Sequence, residues 1–195
     1  MEARLRKPNV TVLRWGHRFR DQRVTTHVAM VARAFGASGF ILADVKDNEV
    51  KDAVQKISAS WGGKFDFAME LPWKQVVSEW RRKSLLVVHL TAYGENIERS
   101  DVMTRIKAAD KDLLVIVGSQ KVPRAFFSSE VSDYNVAVGN QPHSEISALA
   151  VFMDRLYDGR ELGREFDDAK LRIVPQKHGK RVAKSGKTGN LEQQI

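Results

Sequence analysis

Two stretches decide the fold class: Leu85-Leu86-Val87-Val88-His89-Leu90 and Leu113-Leu114-Val115-Ile116-Val117-Gly118. A strand with one wet face alternates apolar and polar side chains. These two do not alternate, so each reads as a strand buried on both faces of a parallel sheet. Working outward, Val10 to Leu13, Phe40 to Leu42, Phe65 to Leu71 and Tyr134 to Val138 read as further strands. Between them apolar residues recur at helical spacing. Val24, Val28, Val31 and Phe35 end at Gly36, and Val50, Val54 and Ile57 close at Gly62-Gly63. Val76, Val77 and Trp80 follow Pro72, Ile97 to Ala109 reads as helical, and Ile146, Leu149, Ala150, Met153 and Leu156 share one face of a long helix. This alternation predicts an α/β fold, a mainly parallel sheet with helices on both faces.

The 195 residues suffice for one domain with its own core, and 43% apolar with 29% charged residues is a globular composition. No apolar run approaches the length of a membrane span, and no apolar segment follows the charged start as in a secretory signal. The absence of cysteine excludes disulfides, thiolate metal sites and a thiol nucleophile, and points to the cytoplasm. The five histidines have no metal-ligand spacing. No partner membrane or metal is expected.

The net charge of +8 sits at the ends: residues 1–23 carry seven Lys/Arg and two acids, and residues 176–195 carry five and one. A near-neutral middle between basic ends suits a polyanion, with nucleic acid the commonest. Residues 1–175 are therefore assigned to one domain. Residues 176–195, basic and poor in large apolar side chains, are expected to be a disordered tail.

Three loops carry candidate chemistry. In Arg14-Trp15-Gly16-His17-Arg18-Phe19-Arg20-Asp21-Gln22-Arg23, cations interleave with aromatics just before a helix. Guanidinium forks grip phosphate and aromatic faces stack on bases. Cations oppose the helix dipole there, which suggests that a ligand supplies the anion. Arg14, His17, Arg18 and Arg20 are accordingly expected to contact RNA. The second loop, Gly118-Ser119-Gln120-Lys121-Val122-Pro123-Arg124, follows a buried strand, where open α/β sheets bind ligands. The third, Asn135-Val136-Ala137-Val138-Gly139-Asn140-Gln141-Pro142-His143-Ser144-Glu145, runs a strand end into a helix through donors and acceptors. Asn140 is a possible helix cap. No G-x-G-x-x-G follows the first strand, which disfavours a nicotinamide enzyme. Trp61, Trp73 and Trp80 are assigned to packing.

The segments Arg20 to His27, Ala32 to Ala37, His89-Leu90-Thr91-Ala92-Tyr93-Gly94, Gly118 to Pro123 and Tyr134 to Glu145 together resemble the archaeal tRNA 2'-O-methyltransferases that modify cytidine 56 in the TΨC loop, a branch of the SPOUT superfamily. The likeness runs from about Val10 to Phe166. It implies a homodimer with a trefoil knot and S-adenosylmethionine as methyl donor. It implies cofactor contacts at Leu90, at Gly118, Ser119, Gln120, Lys121 and Val122, and at Val136, Ala137, Val138, Gly139, Asn140, Gln141, Pro142 and His143. It also implies that Arg23 orients the ribose hydroxyl, with His27 or a substrate phosphate receiving the proton. Gln120 stands where such enzymes usually carry Glu. Two other readings stay open: an RNA-binding protein without catalysis, and a SPOUT enzyme aimed at another RNA position.

Overall fold

The computed structural model describes residues 7–119 and 121–184. Six strands form one parallel sheet: β1 (Val10–Trp15), β2 (Gly39–Leu42), β3 (Asp66–Met69), β4 (Leu86–Asn96), β5 (Leu113–Gly118) and β6 (Tyr134–Ala137). Their spatial order is β3-β2-β1-β5-β4-β6. The helices between them are α1 (Gln22–Ala34), α2 (Asn48–Trp61), α3 (Trp73–Arg82), α4 (Val102–Ala108) and α5 (Glu145–Tyr157).

The two deciding strands divide their side chains between two cores, as burial on both faces requires. Val88, Leu90, Leu113, Val115 and Val117 join α1, α2, α4 and α5 through Val28, Val50, Ile106 and Phe152. Val87, Leu114 and Ile116 join α3 and the segment after β5 through Val76, Val77 and Phe126. Each fully buried Leu, Ile or Val contributes roughly 1.5–3 kcal/mol by removal from water. These strands are therefore a rigid base for whatever their ends carry.

Two expectations are corrected. Helix is absent from Ile97 to Asp101, because β4 runs on to Asn96 and α4 begins at Val102. The Asn96 side chain accepts hydrogen bonds from the backbone of Glu98 at 2.9 Å and Arg99 at 3.3 Å, fixing a turn in place of a helical start. Part of the segment expected to be a disordered tail is a strand: β8 (Val182–Lys184) pairs antiparallel with β7 (Leu171–Ile173). Ala183 is buried there, which gives the hairpin an anchor that composition alone concealed. Residues 176–181 of that segment carry no helix or strand, and residues 185–195 lie outside the described residues. No described helix is long and apolar enough to cross a membrane.

Candidate active site

Parallel strands bring the carboxyl ends of β4, β5 and β6 to one edge, where a cavity of about 220 Å3 opens. β4 supplies Leu90, Thr91 and Ala92, and β5 supplies Val117, Gly118 and the following Ser119. The segment after β6 adds Val138, Gly139, Gln141, Pro142 and His143, and α5 adds Glu145 and Ala148. A β-bulge shapes the wall: Leu90 and Glu95 both register with Val136, so residues 91–94 are pushed out of the ladder. Gly94 is required in that excursion, since a Cβ there would lie 2.5 Å from the backbone of Asn135 and Val136.

The third loop is held by its own polar groups. Asn140 donates to the carbonyls of Ala92 at 2.8 Å and Gly94 at 3.2 Å, and accepts from Asn96. It is therefore a clamp between this loop and the bulge of β4. It is not the expected helix cap; Ser144 caps α5, accepting from Ile146 N. His143 Nε2 lies 2.6 Å from the carbonyl of Val138, closing the loop on itself. Gly139 takes φ of +71°, a left-handed conformation that favours glycine.

The basic segment reaches this edge through Asp21. Ser119 Oγ donates to Asp21 at 3.2 Å, and Arg18 Nε donates to the same carboxylate at 2.8 Å. The bonded Arg18 guanidinium, aided by Ser119 and opposed by partial desolvation, holds Asp21 below the usual carboxylate range. Arg20 and Phe19 are exposed beside it, Phe19 at 77%. Arg23 and His27 lie one turn apart on the exposed face of α1, and neither lines the cavity.

Two residues expected to contact RNA are buried. Arg14 is fully enclosed, donating to Gly118 O and to Glu145, each at 2.9 Å. His17 is 8% exposed, with Nδ1 2.8 Å from Thr25 Oγ1 and Nε2 3.0 Å from Asp47. Burial pushes Asp47 upward, but hydrogen bonds from Gln22, Val50 N and His17 outweigh it and hold the carboxyl below its ordinary range. Both side chains organise the basic segment from beneath.

Of the expected cofactor contacts, Leu90, Gly118, Ser119, Val138, Gly139, Gln141, Pro142 and His143 line the cavity. Val136 and Ala137 are fully buried in the sheet, while Lys121 and Val122 lie past the lining part of their loop. Gln120 lies outside the described residues. The sequence reading missed Thr91, Ala92, Val117, Glu145 and Ala148. The motif His89 to Gly94 contains the first two, and the helical spacing from Glu145 places Ala148 one turn on. Among the described residues no group of His, Asp and Glu could hold a metal.

Superposition on solved structures shows what the fold resembles. The SpoU methyltransferase AviRb from Streptomyces viridochromogenes, solved with the cofactor AdoMet, superposes with a TM-score of 0.58 at 16% identity, over 81% of this chain and 60% of that one. The TrmH/SpoU tRNA modifying enzyme of A. aeolicus superposes with a TM-score of 0.52 at 11% identity, over 82% and 80%. The chain thus spans only about 60% of the larger AviRb structure. The fold is that of the SpoU class of RNA methyltransferases.

Sequence narrows the class to a family. The family model described as "tRNA ribose 2'-O-methyltransferase, aTrm56" matches residues 61–183. The tRNA (cytidine(56)-2'-O)-methyltransferase of Thermococcus kodakarensis is 52% identical over 177 residues, 89% of this chain and 96% of that protein. The enzyme of that name from Methanocaldococcus jannaschii is 51% identical over 176 residues, 89% and 95%. The chain belongs to the aTrm56 family of tRNA ribose 2'-O-methyltransferases.

Proposed function

We propose that this chain transfers a methyl group from S-adenosylmethionine to the ribose 2'-hydroxyl of cytidine 56 in the TΨC loop of tRNA. Membership of a family whose relatives carry that name over nearly their whole length supports the activity. The carrying structural observation is the cavity at the ends of β4, β5 and β6, with the basic segment tied to its Ser119 wall through Asp21.

The cavity fits a nucleoside joined to a charged amino acid. Leu90, Val117, Val138 and Ala148 offer apolar walls, and Ser119, Gln141 and Glu145 offer polar contacts beside exposed backbone. The cofactor supplies an electrophilic methyl on a sulfonium. Asn140 and His143 hydrogen-bond these loops together, and positioned groups of this kind lower a barrier. A ribose hydroxyl is a weak nucleophile and must be oriented and relieved of its proton.

Arg23 takes the orienting role, gripping the hydroxyl and the neighbouring phosphate. A guanidinium loses its proton only above pH ~12, so it is a poor base. His27, one turn along α1, or the substrate phosphate receives the proton. Arg18 and Arg20 grip the RNA backbone from the segment that Asp21 fixes. Lys121, Val122 and Gln120 are assigned to the cofactor on the resemblance alone, and Val136 and Ala137 support the site from within the sheet.

The active species is a homodimer in the cytoplasm, its chain knotted around the cofactor loops. Exposed Val24 and Met30 on α1 and Val151 on the adjoining α5 support a subunit contact. Asn140, bonded across to Ala92 and Gly94, supports threading of the third loop against β4.

The test is transfer of labelled methyl from S-adenosylmethionine to an unmodified tRNA transcript, mapped by nuclease digestion. Label on the ribose of cytidine 56 is expected. Label elsewhere overturns the target, and tight tRNA binding without label identifies a non-catalytic RNA binder.

A further inference from the structure

An aromatic series runs from the core to the surface beside the cavity. Fully buried Phe126 meets Trp15, Trp73 and His89 edge to face, with ring centroids 5.6, 4.8 and 5.5 Å apart. His89 meets Phe127 at 5.0 Å, and Phe127 meets Tyr93 at 6.3 Å. Exposure rises along the series: 1% at His89, 39% at Phe127 and 87% at Tyr93.

Tyr93 follows Thr91 and Ala92, which line the cavity, in the excursion of β4, and its ring lies outside that lining, against Phe127. The excursion is fixed from below by Asn140 and by the close approach at Gly94. Phe127 is fixed too: its carbonyl accepts from Asn135 Nδ2 at 3.1 Å, and Asn135 Oδ1 lies 2.9 Å from His89 Nδ1. The short helix that carries Phe127 also carries exposed Arg124, and exposed Lys121 precedes it. A large exposed ring packed on Phe127, whose own segment carries exposed cations, has the composition of a stacking platform for single-stranded nucleic acid.

We propose that Tyr93, backed by Phe127, stacks on an unpaired base of the RNA strand entering the site, and so sets which nucleotide presents its ribose to the cavity. Tyr93 is thus a specificity-determining residue in the reaction proposed above, and the inference rests on that reading. Stacking needs the ring and not the hydroxyl, and the exposed ring adds little to the fold.

The experiment measures methyl transfer to a tRNA transcript, tRNA affinity and S-adenosylmethionine affinity for wild type, Tyr93→Ala and Tyr93→Phe. Tyr93→Ala is expected to lower kcat/KM for tRNA by roughly tenfold to a hundredfold, the worth of one stacked base. Cofactor affinity stays as in wild type, and Tyr93→Phe restores most of the loss. Wild-type rates in Tyr93→Ala overturn the platform while leaving the methyltransferase reading intact. A wild-type protein that methylates no RNA removes that reading instead. If Tyr93→Ala sediments as a smaller species than wild type without RNA, Tyr93 belongs to a contact between copies, and the proposal also falls.

Discussion

Arg14 and Glu145 form an ion pair at 2.9 Å in which the arginine is fully buried and the carboxylate side chain 29% exposed. The pair joins β1 to the first turn of α5, and Arg14 also holds the carbonyl of Gly118. Both partners of the arginine lie on the cavity wall. Desolvation is unequal, so the two deletions differ. Glu145→Ala strands a buried cation, which costs about 3–5 kcal/mol. Arg14→Met fills the space with an apolar chain and leaves a carboxylate that water reaches. Chemical denaturation is expected to show the larger loss for Glu145→Ala; the reverse order refutes the argument.

That pair also shows what sequence could and could not convey. The strands β4 and β5 were legible because burial on both faces leaves an unbroken apolar run. Arg14 and His17 were not, because their charge reads as surface unless the partners are known. Those partners lie 131 residues away at Glu145 and 30 away at Asp47, and only the folded sheet brings them near. The cavity loops were legible as glycine- and amide-bearing strand ends. Of its β4 wall Leu90 was named, while Thr91 and Ala92 were not, since the bulge that carries them has no periodicity to read.

His89 makes stability depend on pH. Burial against Phe126 and Phe127 lowers its pKa, outweighing hydrogen bonds with Asn135 and the Phe126 backbone that raise it. The unfolded chain takes up this proton near pH 6.5, the folded chain only at lower pH. Stability from this group is therefore full above about pH 6.5 and falls as pH drops towards the lowered folded value. Denaturation midpoints at pH 7.5 and 5.5 are expected to differ, with a smaller difference in His89→Gln. An unchanged difference would exclude His89 as its source.

Gly94 is a steric requirement. A methyl group there meets backbone of Asn135 and Val136 at 2.5 Å, which cannot move without parting β4 from β6. Gly94→Ala is expected to cost more than about 2 kcal/mol and to weaken cofactor binding. Gly139→Ala meets nothing within 4 Å and bears only its left-handed φ, a cost of about 1 kcal/mol. Equal melting temperatures for the two variants would refute the contrast.

The proposed subunit contact and the proposed role of Arg23 share one face of α1, and two substitutions tell them apart. Met30 and Val24 share the exposed side of α1 with Arg23 and His27, and Val151 lies on the helix that packs beside it. Met30→Glu places a charge on the apolar part of that face, where burial against a second copy would require its desolvation. Sedimentation is expected to show dissociation to monomers, with activity falling alongside. Arg23→Ala leaves the apolar contact in place and is expected to sediment as wild type, bind S-adenosylmethionine normally and lose methyl transfer by a hundredfold or more, on the order expected for an orienting group. Retained activity in Arg23→Ala removes that residue from the chemistry. Loss of the dimer in Arg23→Ala would instead assign it to assembly, because its side chain would then be serving the subunit contact and not the ribose.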